Sequence, residues 1–259
     1  MAEFIRLLRS GAVATLLVDR PARRNAMDRA MWRALPSLVA DAVADPGIAV
    51  LCVAGADGHF CGGADIAEFA DCYATPDATA ATNALIRDAV EALAACPKPT
   101  LALVQGACVG GGVALALACD VRLAADDARF AVTPVKLGLI YSNADTRRLV
   151  RAIGAGRTKE LLFSARLVLA EEALRIGLVD RLWSKASFPD ESRASVNALA
   201  AGSRPALRGV KAMVDAIAEG GTQDEAALSD LFNAMFAGSD FAEGYRAFLE
   251  KRPPRFSAE

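Results

Sequence analysis

The chain has 259 residues, of which 54% are hydrophobic and 23% charged, and its 29 Lys and Arg are scattered among 31 Asp and Glu for a formal net charge of -2. That composition supplies a buried core and excludes a concentrated basic face, so nucleic acid is not an expected partner. The opening MAEFIRLLRSGAV carries Glu3, Arg6 and Arg9 and no long apolar run, which predicts neither a signal peptide nor a membrane span and makes a cytoplasmic enzyme the default.

In chain order, β-branched and apolar runs at 12–19, 48–55, 100–106 and 121–126 predict strands. Between the first two, residues 28–45 place Met31, Leu35, Leu38, Val39 and Val43 at helical spacing, with Asp28 as N-cap and Pro36 as an internal kink point. A second helix is predicted over 79–95 from Leu85, Ile86, Val90 and Leu93, stopped by the two prolines of CPKPT. Strand and helix alternate, the pattern of an α/β fold with parallel pairing. Beyond Trp183 strand signals vanish and the text becomes helical, to be packed on its own core or on a neighbouring subunit. The six cysteines (52, 61, 72, 96, 108, 119) have no CxxC spacing and His59 is the lone histidine, so buried reduced thiols are expected and a metal site is not.

Two loops carry the chemistry. AGADGHFCGGADIAEF (54–69) follows the second strand and enters a short helix near Asp65; Gly62 and Gly63 admit a close backbone approach, and the Ala64 amide would face outward at the helix start. GACVGGGVALALACD (106–120) follows the third strand, and its glycines place the Gly111 amide at the positive end of a helix. Either loop alone also fits an ordinary structural turn. One strand-loop-helix unit apart, they offer two backbone donors to one carbonyl oxygen, an oxyanion hole in which each donor is worth about 10² to 10³ in rate.

RPARRNAM (20–27), HFCGGADIAEF (59–69), QGACVGGGVALALACDVRLAADDARF (105–130), TPVKLGL (133–139), ARLVLAEEALRIGLVD (165–180) and AFLEKRPPRF (247–256) together resemble the crotonase superfamily, the enoyl-CoA hydratase and isomerase relatives. The resemblance implies an α/β crotonase (ClpP-like) spiral of ββα turns over 1–195 and an α-helical trimerisation region over 196–259, assembled as a homotrimer or a dimer of trimers. It implies an acyl-CoA thioester as substrate, with CoA part of the substrate rather than a separate cofactor, and with the carbonyl oxygen held by the amides of Ala64 and Gly111. Arg24 and Ala26 would lie along the CoA phosphates and pantetheine, and Ala64, Asp65 and Ile66 near the adenine. Glu68 matches a residue that lines the acyl pocket in some branches. Arg24 and Glu68 also fit solvated surface positions, Asp65 a helix-start anchor and His59 a polar turn.

The sequence departs from the hydratases at the two glutamates that activate water. Ala114 stands at the first, three residues after Gly111, and Pro134 at the second. Acid and base groups contribute about 10² to 10⁴ each, so ordinary hydration is not expected. Decarboxylation of a malonyl-type CoA needs no base, only a hole for the resulting enolate. TPVKLGLIYSNAD is similar to the corresponding text of methylmalonyl-CoA decarboxylases, with Tyr141 where hydratases usually carry proline. Its phenol would bond the substrate carboxylate or deliver the final proton, or else form an aromatic pocket wall. Asp145, spaced from Ser142 as in a capping box, would cap a helix or serve as the single base of an isomerase. Two alternatives stand beside the decarboxylase: a hydratase or isomerase using Asp145 or Glu68, and an inactive acyl-CoA-binding scaffold.

Overall fold

A computed structural model describes residues 3–218 and 225–256. Strands β1 (Ile5–Ser10), β2 (Val13–Val18), β3 (Val50–Gly55), β4 (Thr100–Val104), β6 (Val121–Ala125) and β9 (Arg181–Trp183) form one sheet in the order β1-β2-β3-β4-β6-β9. Only β1 and β2 pair antiparallel; the other neighbours are parallel. A small second sheet joins β5 (Ala107–Val109), β7 (Arg129–Ala131) and β8 (Val168–Leu169). The chain adds a strand to the large sheet, a shorter one to the small sheet, then a helix, and repeats: β4, β5 and α4 (Gly111–Ala118) are one turn of this spiral, and β6, β7 and α5 (Asn143–Ser164) the next.

Period-2 alternation sorts side chains between two layers. Leu51, Val53, Ala102 and Val104 join the main core with α1 (Arg29–Ala44), α3 (Pro76–Ala94) and α4. Val50, Cys52, Leu101 and Leu123 face the other way onto Phe188 and Val196 of α7 (Phe188–Ala200). Both faces are covered, which is why β3 reads as an unbroken apolar run. All six cysteines are buried and unpaired.

The four predicted strands and both helices are present. Asp28 accepts from Met31 N at 2.9 Å to start α1, which runs on past Pro36. Helix α3 begins at Pro76 rather than 79, because Thr75 accepts from Ala78 N at 3.1 Å and Pro76 occupies the first helical position. Strand β1 escapes prediction because Arg6 and Arg9 interrupt its apolar pattern, and β5, β7, β8 and β9 because two or three residues carry no period. The remaining elements are α2 (Phe69–Cys72), α6 (Ala170–Ile176), α8 (Arg204–Ala218), α9 (Glu225–Met235) and α10 (Ser239–Leu249). Among the described residues no helix is long and apolar enough to cross a membrane.

Candidate active site

The loops that leave β3 and β4 join edge to edge. Phe60 N donates to Gln105 O (2.8 Å), Cys61 N to Ala107 O (2.9 Å) and Val109 N to Cys61 O (2.9 Å). Ala64 then makes a second bridge, with Met27, through Met27 N to Gly63 O (2.7 Å) and Asp65 N to Met27 O (2.9 Å). In a parallel bridge the flanking residues bond to the partner, so the amide of Ala64 itself faces the opposite side. That side is the start of α4. A β-carbon built on Gly111 would lie 3.5 Å from Ala64 N, and one built on Gly63 would lie 3.4 Å from Gly111 N. Neither N–H has an acceptor among the described residues. Two unpaired backbone donors therefore stand side by side, one of them at the positive end of a helix buried on every face.

The backbone turns that bring them there need glycine. Gly63 has φ 98° and its α-carbon abuts Val109, while Gly110 turns the chain from β5 into α4 at φ 52°, ψ −109°. Two side chains absent from the sequence-level site hold the loops. Asn25, fully buried with φ 59°, donates to Ala56 O (2.8 Å) and His59 O (2.6 Å) and accepts from Arg20 N (2.8 Å). The signal for it was an Asn inside RPARRNAM, a residue that tolerates the left-handed region and bonds backbone locally. His59 is more than a polar turn: its Nδ1 accepts from Ala107 N at 3.1 Å and so bridges the two donor loops.

Around this hole the expected CoA residues part company. Arg24 is exposed, lies in the loop whose carbonyl accepts from Gly62 N (2.8 Å), and makes no ion pair among the described residues. Ile66 is 63% exposed and Ala26 partly buried. Asp65 is turned to protein: Oδ2 accepts from Arg20 Nη1 (2.6 Å) and Oδ1 from Ala67 N (3.0 Å), which makes it the anchor of a short 3₁₀ turn at Ile66–Glu68. The Arg20 hydrogen bond holds its carboxyl below the usual carboxylate range against the opposing effect of burial. Glu68 Oε2 accepts from Arg29 N at 2.8 Å, in the first turn of α1. It tethers that helix from a partly exposed position.

Tyr141 packs its ring against the core and donates its hydroxyl to Gly110 O at 3.0 Å. The phenol's proton has a backbone acceptor. Removal from water, and after it the charge of Asp145, push the phenol well above its ordinary pKa, so it remains a donor. Asp145 lies in the first turn of α5, which Ser142 caps: Ser142 Oγ accepts from Asp145 N (3.1 Å) and donates to Asp145 Oδ2 (2.5 Å), and Arg148 Nη1 donates to Oδ1 (3.2 Å). Arg148 also pairs with Glu91 of α3 (2.8 Å). Both oxygens of Asp145 are engaged, which favours the capping reading over a free base.

The sequence pattern of the enoyl-CoA hydratase/isomerase family matches residues 9–259. The chain belongs to the enoyl-CoA hydratase/isomerase family. A family protein from Hyphomonas neptunium of known crystal structure is 44% identical and superposes with a TM-score of 0.95, over 100% of this chain and 99% of that one. An enoyl-CoA hydratase/carnithine racemase from Magnetospirillum magneticum is 34% identical, also at 0.95, over 100% and 97%. The crotonyl-CoA hydratase of Syntrophomonas wolfei is 34% identical over 98% of both chains.

Within this enoyl-CoA hydratase/isomerase framework, Ala114 lies one turn into α4 and is 1% exposed, in the main core. Pro134 opens a 3₁₀ turn, Pro134–Leu137. Neither side chain transfers a proton.

Proposed function

We propose that the amides of Ala64 and Gly111 hold the carbonyl oxygen of an acyl-CoA thioester and that the reaction is decarboxylation of a short malonyl-type CoA. The observation that carries this reading is a pair of backbone donors, unpaired among the described residues, whose family acid and base positions are empty of titratable groups. Ala114 and Pro134 carry no titratable group, and the oxygens of Asp145 are engaged by Ser142 and Arg148. The bond from the α-carbon to the carboxylate breaks, its electron pair moves into the thioester, and the enolate oxygen accepts from the two amides. Carbon dioxide leaves, and a proton from solvent completes the shorter acyl-CoA. In a site that offers donors only where the negative charge develops, stabilisation is spent on the transition state.

The exposed Arg24 guanidinium suits the CoA phosphates, and Ala26, Ala64 and exposed Ile66 suit the pantetheine and adenine. Region 1–195 would bind the thioester and 196–259 would assemble the oligomer. In the single chain, α8 to α10 expose Val210, Val214, Ile217, Phe232, Phe236, Phe241, Tyr245 and Phe248, the kind of apolar concentration that marks an interaction surface. We assign them to contacts in a homotrimer or a dimer of trimers, without a metal or separate cofactor.

A second reading, enoyl-CoA hydration, is favoured by the S. wolfei relative, a crotonyl-CoA hydratase 34% identical over 98% of this chain. A panel of malonyl-type, enoyl and 3-hydroxyacyl thioesters followed by mass spectrometry separates the two. Loss of carbon dioxide from methylmalonyl-CoA with negligible water addition to crotonyl-CoA is the expected result. Fast hydration of crotonyl-CoA overturns it, and tight binding without turnover of any thioester leaves the binding-scaffold reading.

A further inference from the structure

Gly110 poses a mechanical problem for the oxyanion hole. Its backbone sits at φ 52°, ψ −109°, and a β-carbon there would meet nothing within 4 Å. No side chain at Gly110 steadies the turn, and the peptide that joins it to Gly111 carries one of the two donors. On its nitrogen side this peptide lies against Trp32 and Ala64, and on its carbonyl side Gly110 O accepts from Ala114 N (3.2 Å) and from the Tyr141 hydroxyl (3.0 Å).

The carbonyl of Gly110 and the N–H of Gly111 belong to one planar conjugated unit. A hydrogen bond to the oxygen therefore fixes the direction of the N–H and draws density from the nitrogen, making that N–H a stronger donor by about 10–30%. Tyr141 delivers this bond from a fixed base: its ring rests on the core, and the next residue, Ser142, caps α5. We propose that Tyr141 is a positioning residue that orients and polarises the Gly110–Gly111 peptide, so that the Gly111 amide is held ready for the thioester oxygen. The phenol acts through the backbone rather than on the substrate. This inference rests on the reading of Ala64 and Gly111 as the oxyanion donors.

The test uses butyryl-CoA carrying carbon-13 at the thioester carbonyl, a probe with neither a carboxylate to lose nor a double bond to hydrate. Infrared difference spectra report how far the bound carbonyl stretch falls below its value in water. In the unaltered protein the stretch falls; in Tyr141→Phe about a tenth to a third of that fall is lost, with less than threefold change in probe affinity. Site-specific 3-fluorotyrosine at position 141, a stronger donor with an unchanged ring framework, deepens the fall and keeps the test valid if the Phe variant folds poorly. Equal shifts for the three side chains overturn the proposal. Absence of any shift in the unaltered protein is a different failure, because it removes the oxyanion reading itself and the positioning role with it.

Discussion

A methyl group on Gly63 would stand 2.8 Å from the carbonyl oxygen of Val109, so the two donor loops touch backbone to backbone at this point. Gly63 also has φ 98°, where a β-carbon is strained whatever the space. Gly63→Ala should push the loops apart and move Ala64 N away from Gly111 N. The expected cost is about 1–3 kcal/mol in stability from overpacking and about 10² to 10³ in turnover from the displaced donor. Thermal unfolding and steady-state rates check it; a variant with near-normal turnover would show that the contact does not set the spacing.

Asn25 combines two demands that separate in mutants. Asn25→Ala loses the three side-chain hydrogen bonds to Ala56 O, His59 O and Arg20 N and keeps a β-carbon at φ 59° without the amide that compensates for it. Asn25→Gly loses the same bonds without the backbone strain. Both should be destabilised, and Ala more than Gly by about 1–2 kcal/mol. Chemical denaturation of the two variants measures the difference, and the reverse order would refute a conformational role for this position.

Much of this site was legible in the sequence, and the parts that were not share a cause. The strand-glycine-helix text at 59–69 and 105–118 placed Ala64 and Gly111 because backbone donors depend on local turns, which short motifs encode. The partners of Glu68 and Tyr141, Arg29 N and Gly110 O, are not legible because they lie 39 and 31 residues away, a distance that periodicity does not span. Asn25 and His59 hid for the same reason, since each ties loops that meet only after β3 and β4 have paired. Asp65 was the converse case: its cap on Ala67 N is local and was anticipated, whereas the Arg20 ion pair, 45 residues distant, was not.

That ion pair gives a pH signature. Asp65 is held below its ordinary value of 3.8 in the folded chain, first by the Arg20 hydrogen bond. A carboxylate with a depressed folded pKa contributes stability that is present above about 3.8 and is lost as pH falls through the lower, folded value. Asp65→Asn should therefore lower stability at neutral pH and flatten the acid limb of the stability curve below pH 4. Denaturation midpoints at stepped pH values test this; an unchanged acid limb would mean that the pair is not linked to folding.

The C-terminal helices make a testable statement about assembly. Ile217 is 68% exposed and Phe248 82% exposed in the single chain, positions where a charge is harmless on a monomer and costly at an apolar contact. Sedimentation of the unaltered protein should give a multiple of 27.0 kDa, and Phe248→Asp or Ile217→Asp should shift it toward one chain. A monomeric unaltered protein would leave these side chains without the partner assigned to them.

Gly111 permits the donor to be removed while the helix is kept. It is the first residue of α4, where proline is tolerated because that N–H has no intrahelical acceptor. A β-carbon at 111 would lie 3.1 Å from Cζ2 of Trp32, so any side chain there crowds the indole by a few tenths of an ångström. Gly111→Ala therefore brings the crowding and keeps the N–H, whereas Gly111→Pro brings similar crowding and deletes it. The proline ring carbon also takes the place of the hydrogen, so the ratio of their rates reads loss of the donor site as a whole: turnover of the Pro variant should lie at least about 10² to 10³ below that of the Ala variant at comparable thermal stability. Equal rates in the two would mean that steric pressure on Trp32, and not the lost hydrogen bond, accounts for the damage, and the Gly111 amide would lose its place as a donor.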